Sequence, residues 1–457
     1  MLSACGNREK VKTSDNKDQN ERIILADELE ESLFRYIIEP WYPANIDSLN
    51  GGYNSIFNYN WSLPEKPGMK ALVQQARHVW STSFLYECYP SNKDFLKYAR
   101  HGSGFLKDQM WDKEYGGFYY ACEHNGLPDP ESMNDKRIYG QSFALYGLSK
   151  YYMVSGDQEI LDLVKKEFLW MEEQAHDAEH GGYFEYLNRD GSPKYFKDLS
   201  ENQRKENPST GLKDYNSSIH LMEAFTELYR IWPDELVKTR LEEMFYLIRD
   251  TFVHPDGYLI LFFYPDWVSV PSSTMDSLSG GNYFYTQHFS YGHDVETAFL
   301  LLETSEALGL DHDKKTLNIA RKLVDHSLQT GWDDLAGGFY DAGRKFEDGT
   351  RIIDRHKSWW AQVEGLNALL MMAELFPEDT TAYFNYFEKQ WDYINTNLVD
   401  KEFGGWYNFG LDTYPESRFQ PKSHIWKTTY HNIRGMVRCI RMLRGTDQVK
   451  TETENSG

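Results

Sequence analysis

The sequence predicts an all-α protein folded as an (α/α)6 barrel, with short β-hairpins or turns at the rim. Three observations lead to this fold class. A glycine-rich turn motif recurs along the chain, the segments between its copies have helical periodicity, and strand-like alternation is confined to short runs after the glycines. With 457 residues, of which 40% are hydrophobic, the chain is long enough to bury the core of such a barrel.

The repeated motif consists of an aspartate, three residues, two glycines and an aromatic residue. Full copies begin at Asp47, Asp112, Asp177, Asp333 and Asp400, and a weaker sixth copy is HPDGY at 254–258. Paired glycines suit a tight turn that enters a short extended segment. The copies recur every 65 to 81 residues, which leaves room for two helices and a loop in each unit. Six such hairpins would close into a barrel, and the alternative is an open solenoid.

The segments between the turns predict amphipathic helices. Ala144, Gly147, Leu148 and Tyr151 follow the spacing i, i+3, i+4, i+7, and the segments that begin at Leu221 and Val295 repeat it. We expect one such helix of each unit to face a central pit.

The charge of the chain limits its partners. Lysine and arginine total 48 against 70 aspartate and glutamate residues, and the net charge of −22 would repel nucleic acid. Aromatic residues make up 16% of the chain, and their flat faces suit a small carbohydrate. No apolar run approaches the ~18–20 residues of a membrane-spanning helix.

The N-terminus resembles the end of a bacterial lipoprotein signal, because Leu2, Ser3, Ala4 and Cys5 stand in lipobox order. We therefore expect a lipoprotein-like segment and polar tether at 1–22, the barrel domain at 23–446 and a polar tail at 447–457. If Cys5 is lipidated, the protein is exported and anchored through that lipid, which would be its sole membrane attachment; otherwise we expect it in the cytoplasm. The other cysteines have the spacing of neither a disulfide framework nor a zinc site.

One sequence motif resembles a zinc site, but its position in the repeat argues against metal binding. His176, Glu179 and His180 match the inverted zinc-protease pattern HxxEH, whose ligands must share a helical face. In this chain they occupy a copy of the turn motif, so we expect no zinc there.

Four polar clusters lie on predicted helices. They are Arg77 with Trp80, Asn216 with His220, His293 with Glu296, and Trp426 with His431. A single such histidine is most often a structural or capping residue, but several that begin different inner helices would converge on one pit. Nucleotide-binding loops, nucleophile elbows and a full set of metal ligands are not evident. Acid–base chemistry by paired histidines is therefore the type of catalysis that these residues indicate.

Seven motifs, in order, resemble the N-acylglucosamine 2-epimerase superfamily and, within it, the cellobiose and mannobiose 2-epimerases. They are Arg77-xx-Trp80-xx-Ser83, YGQSFALYGLSKYY at 139–152, Asn216-xxx-His220 with the following LMEAF, LFFYPDW at 261–267, YGHDVE at 291–296, KSWWAQVEG at 357–365 and WKTTYHNIR at 426–434. The resemblance extends from about residue 27 to 443. It implies an (α/α)6 barrel, in agreement with the repeat.

The resemblance also implies roles. His293 and His431 would be acid–base residues on opposite faces of the C2 atom of the sugar, and Arg77 would stabilise the developing negative charge. Glu296 would stand one turn from His293 and help to set its tautomer and pKa. The residues implied in substrate binding are Asn216, His220, Glu296, Trp359, Trp360, Glu364 and Trp426. No cofactor and no metal are implied.

The expected activity is a cofactor-independent 2-epimerase that interconverts reducing-end glucose and mannose in β-1,4-linked disaccharides through a cis-enediolate. The alternatives are an N-acylglucosamine 2-epimerase or monosaccharide isomerase, an inverting glycoside hydrolase that uses Glu296 and Glu364, and a non-catalytic glycan-binding lipoprotein. Phe299 and Ser218 depart from the usual tryptophan and histidine of the disaccharide enzymes, and we expect them to affect the sugar pocket.

Overall fold

The computed structural model describes residues 6–310 and 313–446, with side chains from residue 19. Cys5 and the predicted 447–457 tail lie outside these residues, so lipidation remains a prediction. The α-helices of the described part are α1 (Gly6–Leu33), α2 (Glu39–Trp41), α3 (Leu72–Cys88), α4 (Lys93–Phe105), α5 (Ile138–Ser155), α6 (Gln158–Gln174), α7 (Glu201–Glu206), α8 (Tyr215–Ile231), α9 (Glu235–Leu247), α10 (Ser272–Leu278), α11 (Tyr291–Ala307), α12 (Lys314–Gly331), α13 (Trp359–Leu375), α14 (Tyr383–Asn397) and α15 (Tyr430–Leu443).

The strands are short and antiparallel. They are β1 (Lys70–Ala71), β2 (Ala121–Cys122), β3 (Asp135–Arg137), β4 (Tyr186–Asn188), β5 (Lys213–Asp214), β6 (Phe262–Phe263), β7 (Phe289–Ser290), β8 (Ala342–Phe346) and β9 (Gly349–Asp354). Strands β1 to β6 pair as β1–β2, β3–β4 and β5–β6, and β7, β8 and β9 form one sheet. Four of these strands (β1, β3, β5 and β7) lead directly into an inner helix.

The helices form two concentric rings. Helices α3, α5, α8, α11, α13 and α15 pack each against the next, and α15 packs back against α3. Outside them, α4, α6, α9, α12 and α14 each pack on the inner helix that precedes them, while α1 packs on α15. The ring is therefore closed, which confirms the predicted (α/α)6 barrel and excludes the open solenoid.

Inner and outer helices differ in sequence because they differ in environment. The inner helices are buried over most of their surface, since 13 of the 18 residues of α5 and 13 of the 17 residues of α13 are buried. Four of the outer helices are amphipathic and start at side-chain caps: Asn92, Asp157, Asp234 and Asp313 accept a hydrogen bond from the first turn of α4, α6, α9 and α12.

The predicted turns form at one rim of the barrel. In the described part of the chain, six equivalent antiparallel bridges close them: Ile46–Tyr53, Trp111–Phe118, His176–Tyr183, Val253–Leu259, Trp332–Phe339 and Val399–Trp406. Both glycines of each full copy have positive φ, which explains the GG pair. The HPDGY copy needs left-handed backbone only at Gly257.

A buried lysine holds each full copy of the turn. Lys70, for example, donates to Asp47 at 2.7 Å and to the Gly51 carbonyl oxygen at 2.5 Å. The equivalent pairs are Lys136–Asp112, Lys213–Asp177, Lys357–Asp333 and Lys422–Asp400. The aspartate of the motif is conformationally required, because it accepts backbone N–H groups of the turn and also neutralises this lysine.

The boundaries of the barrel domain remain predictions. Arg22, one residue before the predicted start of the domain, already contacts the barrel, since it donates a hydrogen bond to Glu374 at 2.5 Å. No helix of residues 6–310 and 313–446 has the length and apolarity needed to cross a membrane. Cys88, Cys122 and Cys439 are free thiols.

Candidate active site

A cavity of about 410 Å³ opens at the N-terminal ends of the inner helices. The rim strands lead directly into these helices, so residues at strand ends and in first helical turns meet there. Its lining includes Arg77, Asn216, His220, His293, Glu296, Trp359, Trp360, Trp426 and His431. Nine of the ten residues proposed from the sequence therefore line one cavity, although they span more than 350 positions of the chain.

His293 lies in the first turn of α11. Its Nδ1 is 2.6 Å from the hydroxyl of Ser290, which can donate or accept in that contact. The rings of Trp360 and Tyr215 pack on the imidazole at centroid distances of 4.5 and 4.7 Å. Burial, followed by the charges of His220 and His431, holds the pKa of His293 well below its usual value.

His431 lies in the first turn of α15 and also packs near Trp360. Its Nδ1 is 2.7 Å from Oε1 of Glu364, and its ring is 5.5 Å from that of Trp360. A carboxylate at Nδ1 favours the tautomer in which Nδ1 carries the proton, and Nε2 is then a free base. Burial and the nearby Arg77 lower the pKa of His431 well below its usual value.

Arg434 connects the buried acids behind the histidines. One terminal nitrogen binds Glu296 and, at 2.6 Å, Glu364, and the other binds Glu223 and the Tyr430 hydroxyl. Arg434 is 1% exposed, so these contacts are removed from water. Glu364 in turn holds His431, and Arg434 thereby fixes the position of a histidine that it does not touch.

The acids around Arg434 differ in proton affinity. Although burial opposes it, Arg434 and His220 lower the pKa of Glu223 to about 2. Burial raises the pKa of both Glu296 and Glu364 in spite of Arg434. Three carboxyl groups therefore surround one guanidinium, and the two that lie nearest His431 bind a proton more readily than Glu223 does.

A second histidine–glutamate pair lies on α8. Nδ1 of His220 is 2.8 Å from Oε2 of Glu223, which orients the imidazole within the cavity lining. Asn216 lies one turn earlier, and its Oδ1 has no hydrogen-bond partner among the described residues. A buried amide oxygen without a partner is suited to a substrate hydroxyl.

Arg77 and the tryptophans complete the site. Arg77 donates to the Trp426 carbonyl oxygen at 3.0 Å and to the Tyr139 hydroxyl at 2.9 Å, and it stacks over Phe143 at 4.3 Å. Each of its terminal nitrogens carries a second hydrogen that remains for a ligand. Trp426 is 39% exposed and stands at the entrance, whereas Trp359 is buried.

One cluster of three side chains has the donor atoms that a metal ion would need. Among the described residues, donor atoms of Glu296, Glu364 and His431 lie within 4.8 Å of one another. Arg434 already bonds to both carboxylates, and a cation would have to displace it. The group therefore fits an ion-paired cluster better than a metal centre.

Some expectations need adjustment. Glu364 does not line the cavity but lies behind His431, and Glu296 bonds to Arg434 while Ser290 bonds to His293. The sequence signal was misleading because residues three apart on a helix need not bond when a stronger partner is near. The carboxyl oxygens of Glu296 and Glu364 are too close for an inverting hydrolase, which needs about 6.5–9.5 Å between its two acids.

The other residues singled out from the sequence lie outside the cavity lining. Phe299 packs under Arg438 at 4.0 Å, and Ser218 bonds to the Asp214 carbonyl oxygen, so neither lines the cavity. His176 and His180 belong to a turn and contact Glu243 and Asp177, and these contacts do not form the helical HxxEH site.

Sequence reasoning did not single out Arg434, Glu223, Tyr139 or Tyr430. Arg434 stands three residues after His431, and Glu223 three after His220, which repeats the interval between His293 and Glu296. That interval was the available signal for an acid or base next to each histidine.

Comparison with known proteins supplies independent information. The family model for N-acylglucosamine 2-epimerase matches residues 51–434. A cellobiose 2-epimerase from Ruminococcus albus is 28% identical over 425 residues, which cover 93% of this chain and 100% of that protein. One from Bacteroides fragilis is 26% identical over 422 residues, which cover 92% and 99%. The solved cellobiose 2-epimerase from Spirochaeta thermophila has a TM-score of 0.78 at 27% identity, covering 93% of this chain and 98% of that one.

Proposed function

Since the chain belongs to the N-acylglucosamine 2-epimerase family and is a carbohydrate epimerase, we propose that it interconverts reducing-end glucose and mannose in β-1,4-linked disaccharides. The relatives from Bacteroides fragilis and Ruminococcus albus, matched over 99% and 100% of their lengths, are named cellobiose 2-epimerases, which supports a disaccharide over a monosaccharide. A cavity of about 410 Å³ lies within the range of about 300–1,000 Å³ that is usual for ligand sites.

One observation carries the proposed mechanism. His293 and His431 come from different inner helices, line the same cavity and pack against the same ring, that of Trp360. Neither Nε2 makes a hydrogen bond to another described residue, whereas each Nδ1 is held by the protein. Two imidazoles with free Nε2 atoms around one apolar platform can act on one carbon from different sides.

The reaction follows from the acidity of a hydrogen next to a carbonyl group. The reducing-end ring opens to its aldehyde, and one histidine takes the C2 proton at Nε2. The C2–H electron pair forms the C1=C2 bond, and the C1 carbonyl oxygen becomes the negative oxygen of a cis-enediolate. The remaining N–H groups of Arg77 stabilise that charge. The second histidine donates a proton to the opposite face of C2, which restores the aldehyde with inverted configuration.

The two histidines have different partners because their roles differ. Glu364 holds Nδ1 of His431, and the negative charge of the enediolate would oppose the lowering of the His431 pKa, which suits His431 to hold the proton that is returned. Ser290 is uncharged and can donate or accept, so His293 can hold either protonation state at Nδ1. In the reverse direction the roles exchange, as a reversible reaction requires.

Product analysis with single-residue variants tests the proposal. Purified protein is incubated with cellobiose and with mannobiose, and the products are separated by anion-exchange chromatography. We expect the C2 epimer of each, and we expect His293→Ala and His431→Ala each to lower kcat by about 10²–10⁴. His326→Ala, which changes a partly buried histidine outside the cavity lining, is the control. Wild-type kcat in either active-site variant would refute the two-histidine mechanism.

A further inference from the structure

Arg137 is a cavity-lining group to which the proposed reaction gives no role. It ends β3, immediately before α5, and lies at the strand level of the site together with Tyr120, Tyr186 and Ser209. The catalytic histidines lie in helical turns. Arg137 is therefore placed to contact a part of the ligand other than the reacting carbon.

The guanidinium is held in place by aromatic rings. Its Cζ lies 4.5 Å from the centroid of Tyr120 and 5.2 Å from that of Tyr186. The Tyr186 hydroxyl is in turn fixed by Ser209 at 2.8 Å. Stacking on two tyrosines orients the planar fork, so little conformational freedom is lost when a ligand binds.

This held cation forms no ion pair or hydrogen bond with an acid among the described residues, although Glu185 and Asp135 lie near enough to act on it electrostatically. Nε of Arg137 is buried without a hydrogen-bond partner, and its terminal nitrogens make no hydrogen bond or ion pair with any described residue. An arginine that is largely removed from water but unpaired is costly unless a ligand supplies an acceptor.

The acids nearby have other partners. Glu185 accepts the Tyr139 N–H at 2.8 Å, and Asp214 accepts the Ser217 N–H and hydroxyl at 2.9 Å as the cap of α8. Asp135 pairs with Lys194. Burial and the charge of Asp214 raise the pKa of Glu185 well above its usual value, although the charge of Arg137 opposes that rise, and the carboxyl group makes no hydrogen bond to the guanidinium.

We infer that Arg137 binds a carboxylate on the sugar unit next to the reacting one, so that the enzyme prefers a β-1,4-linked disaccharide whose non-reducing unit is a uronic acid. The guanidinium fork matches the two oxygens of a carboxylate, and such charge-assisted pairs are stronger than bonds to neutral hydroxyls. This inference rests on the proposed function for the identity of the reacting sugar. The contact itself involves no covalent step.

Binding of an unreactive ligand tests the inference without turnover. A methyl β-glycoside cannot open to the aldehyde, so calorimetric titration compares methyl β-cellobioside with the methyl β-glycoside of glucuronosyl-β-1,4-glucose. We expect wild-type protein to bind the acidic ligand at least about 10 times more tightly. In Arg137→Met this ratio of dissociation constants should fall to about one, and Arg137→Lys should recover part of it.

The controls separate the possible failures. Arg204→Met removes another guanidinium that stacks on an aromatic ring, Phe196, but lies outside the cavity lining, and it should keep the wild-type ratio. Equal affinity of wild-type protein for both ligands would overturn the inference, as would an equal loss for both in Arg137→Met. Failure of the proposed function would appear differently, as a lack of C2 epimer from any reducing disaccharide while the binding ratio persists.

Discussion

Glu167 provides a test of the burial described for the barrel. It lies on α6, is 0% exposed, and neither carboxyl oxygen has a hydrogen-bond partner among the described residues. Burial, opposed only by the charge of Lys136, raises its pKa from 4.5 to about 8. The folded protein therefore holds this proton in a pH range where the unfolded chain has released it.

The sign and size of the effect follow from linkage. Between pH 4.5 and about 8 the folded state binds more protons than the unfolded state, so the free energy of unfolding falls as pH rises. The shift of about 3.5 pKa units corresponds to roughly 5 kcal/mol in full, of which roughly 3.5 kcal/mol is lost between pH 5 and pH 8.

Glu167→Gln keeps the shape of the side chain and removes its titration. Urea unfolding of both proteins at pH 5, 6.5 and 8 gives the difference in unfolding free energy at each pH. We expect the variant to gain roughly 3.5 kcal/mol relative to wild type between pH 5 and pH 8. Glu173→Gln, the same change at an exposed position of α6, controls for the loss of a charge. A difference that stays constant with pH for Glu167→Gln would refute the burial argument.

Two further predictions concern catalysis. Arg434→Met should lower kcat by about 10² with a smaller change in KM, because Glu364 would no longer hold His431. Arg434→Lys should recover part of the lost kcat. Steady-state kinetics that show kcat of Arg434→Met within twofold of wild type would contradict this role. Burial lowers the pKa of His293, and this base is lost as pH falls through its pKa, so the acid limb of kcat/KM should have its midpoint below pH 6.5. A midpoint at or above this pH in the pH–rate profile would contradict it.

The fold could be predicted because its determinants are local and repeated. An Asp, two glycines with positive φ and an aromatic residue specify each turn, and the helical spacing between turns specifies the hairpins. A further repeated signal was present but not used: Lys70, Lys136, Lys213 and Lys357 each stand two residues before an inner helix.

The site could be predicted only in part, for a physical reason. Residues such as His293 and Trp360 begin inner helices, and the barrel brings all such positions to one end. The partners of Arg434 lie 70, 138 and 211 positions away, at Glu364, Glu296 and Glu223. No local pattern specifies which of these acids will share a buried guanidinium, and the bond between His293 and Ser290 likewise required the structure.

The central claim is that a proton leaves C2 and another returns to it. Wild-type protein is incubated with cellobiose in D2O, and the reducing-end sugar is followed by NMR. The account predicts a mannose-configured reducing end that carries deuterium at C2, since the histidines exchange their protons with solvent. An epimer that keeps hydrogen at C2, or release of free glucose, would contradict it.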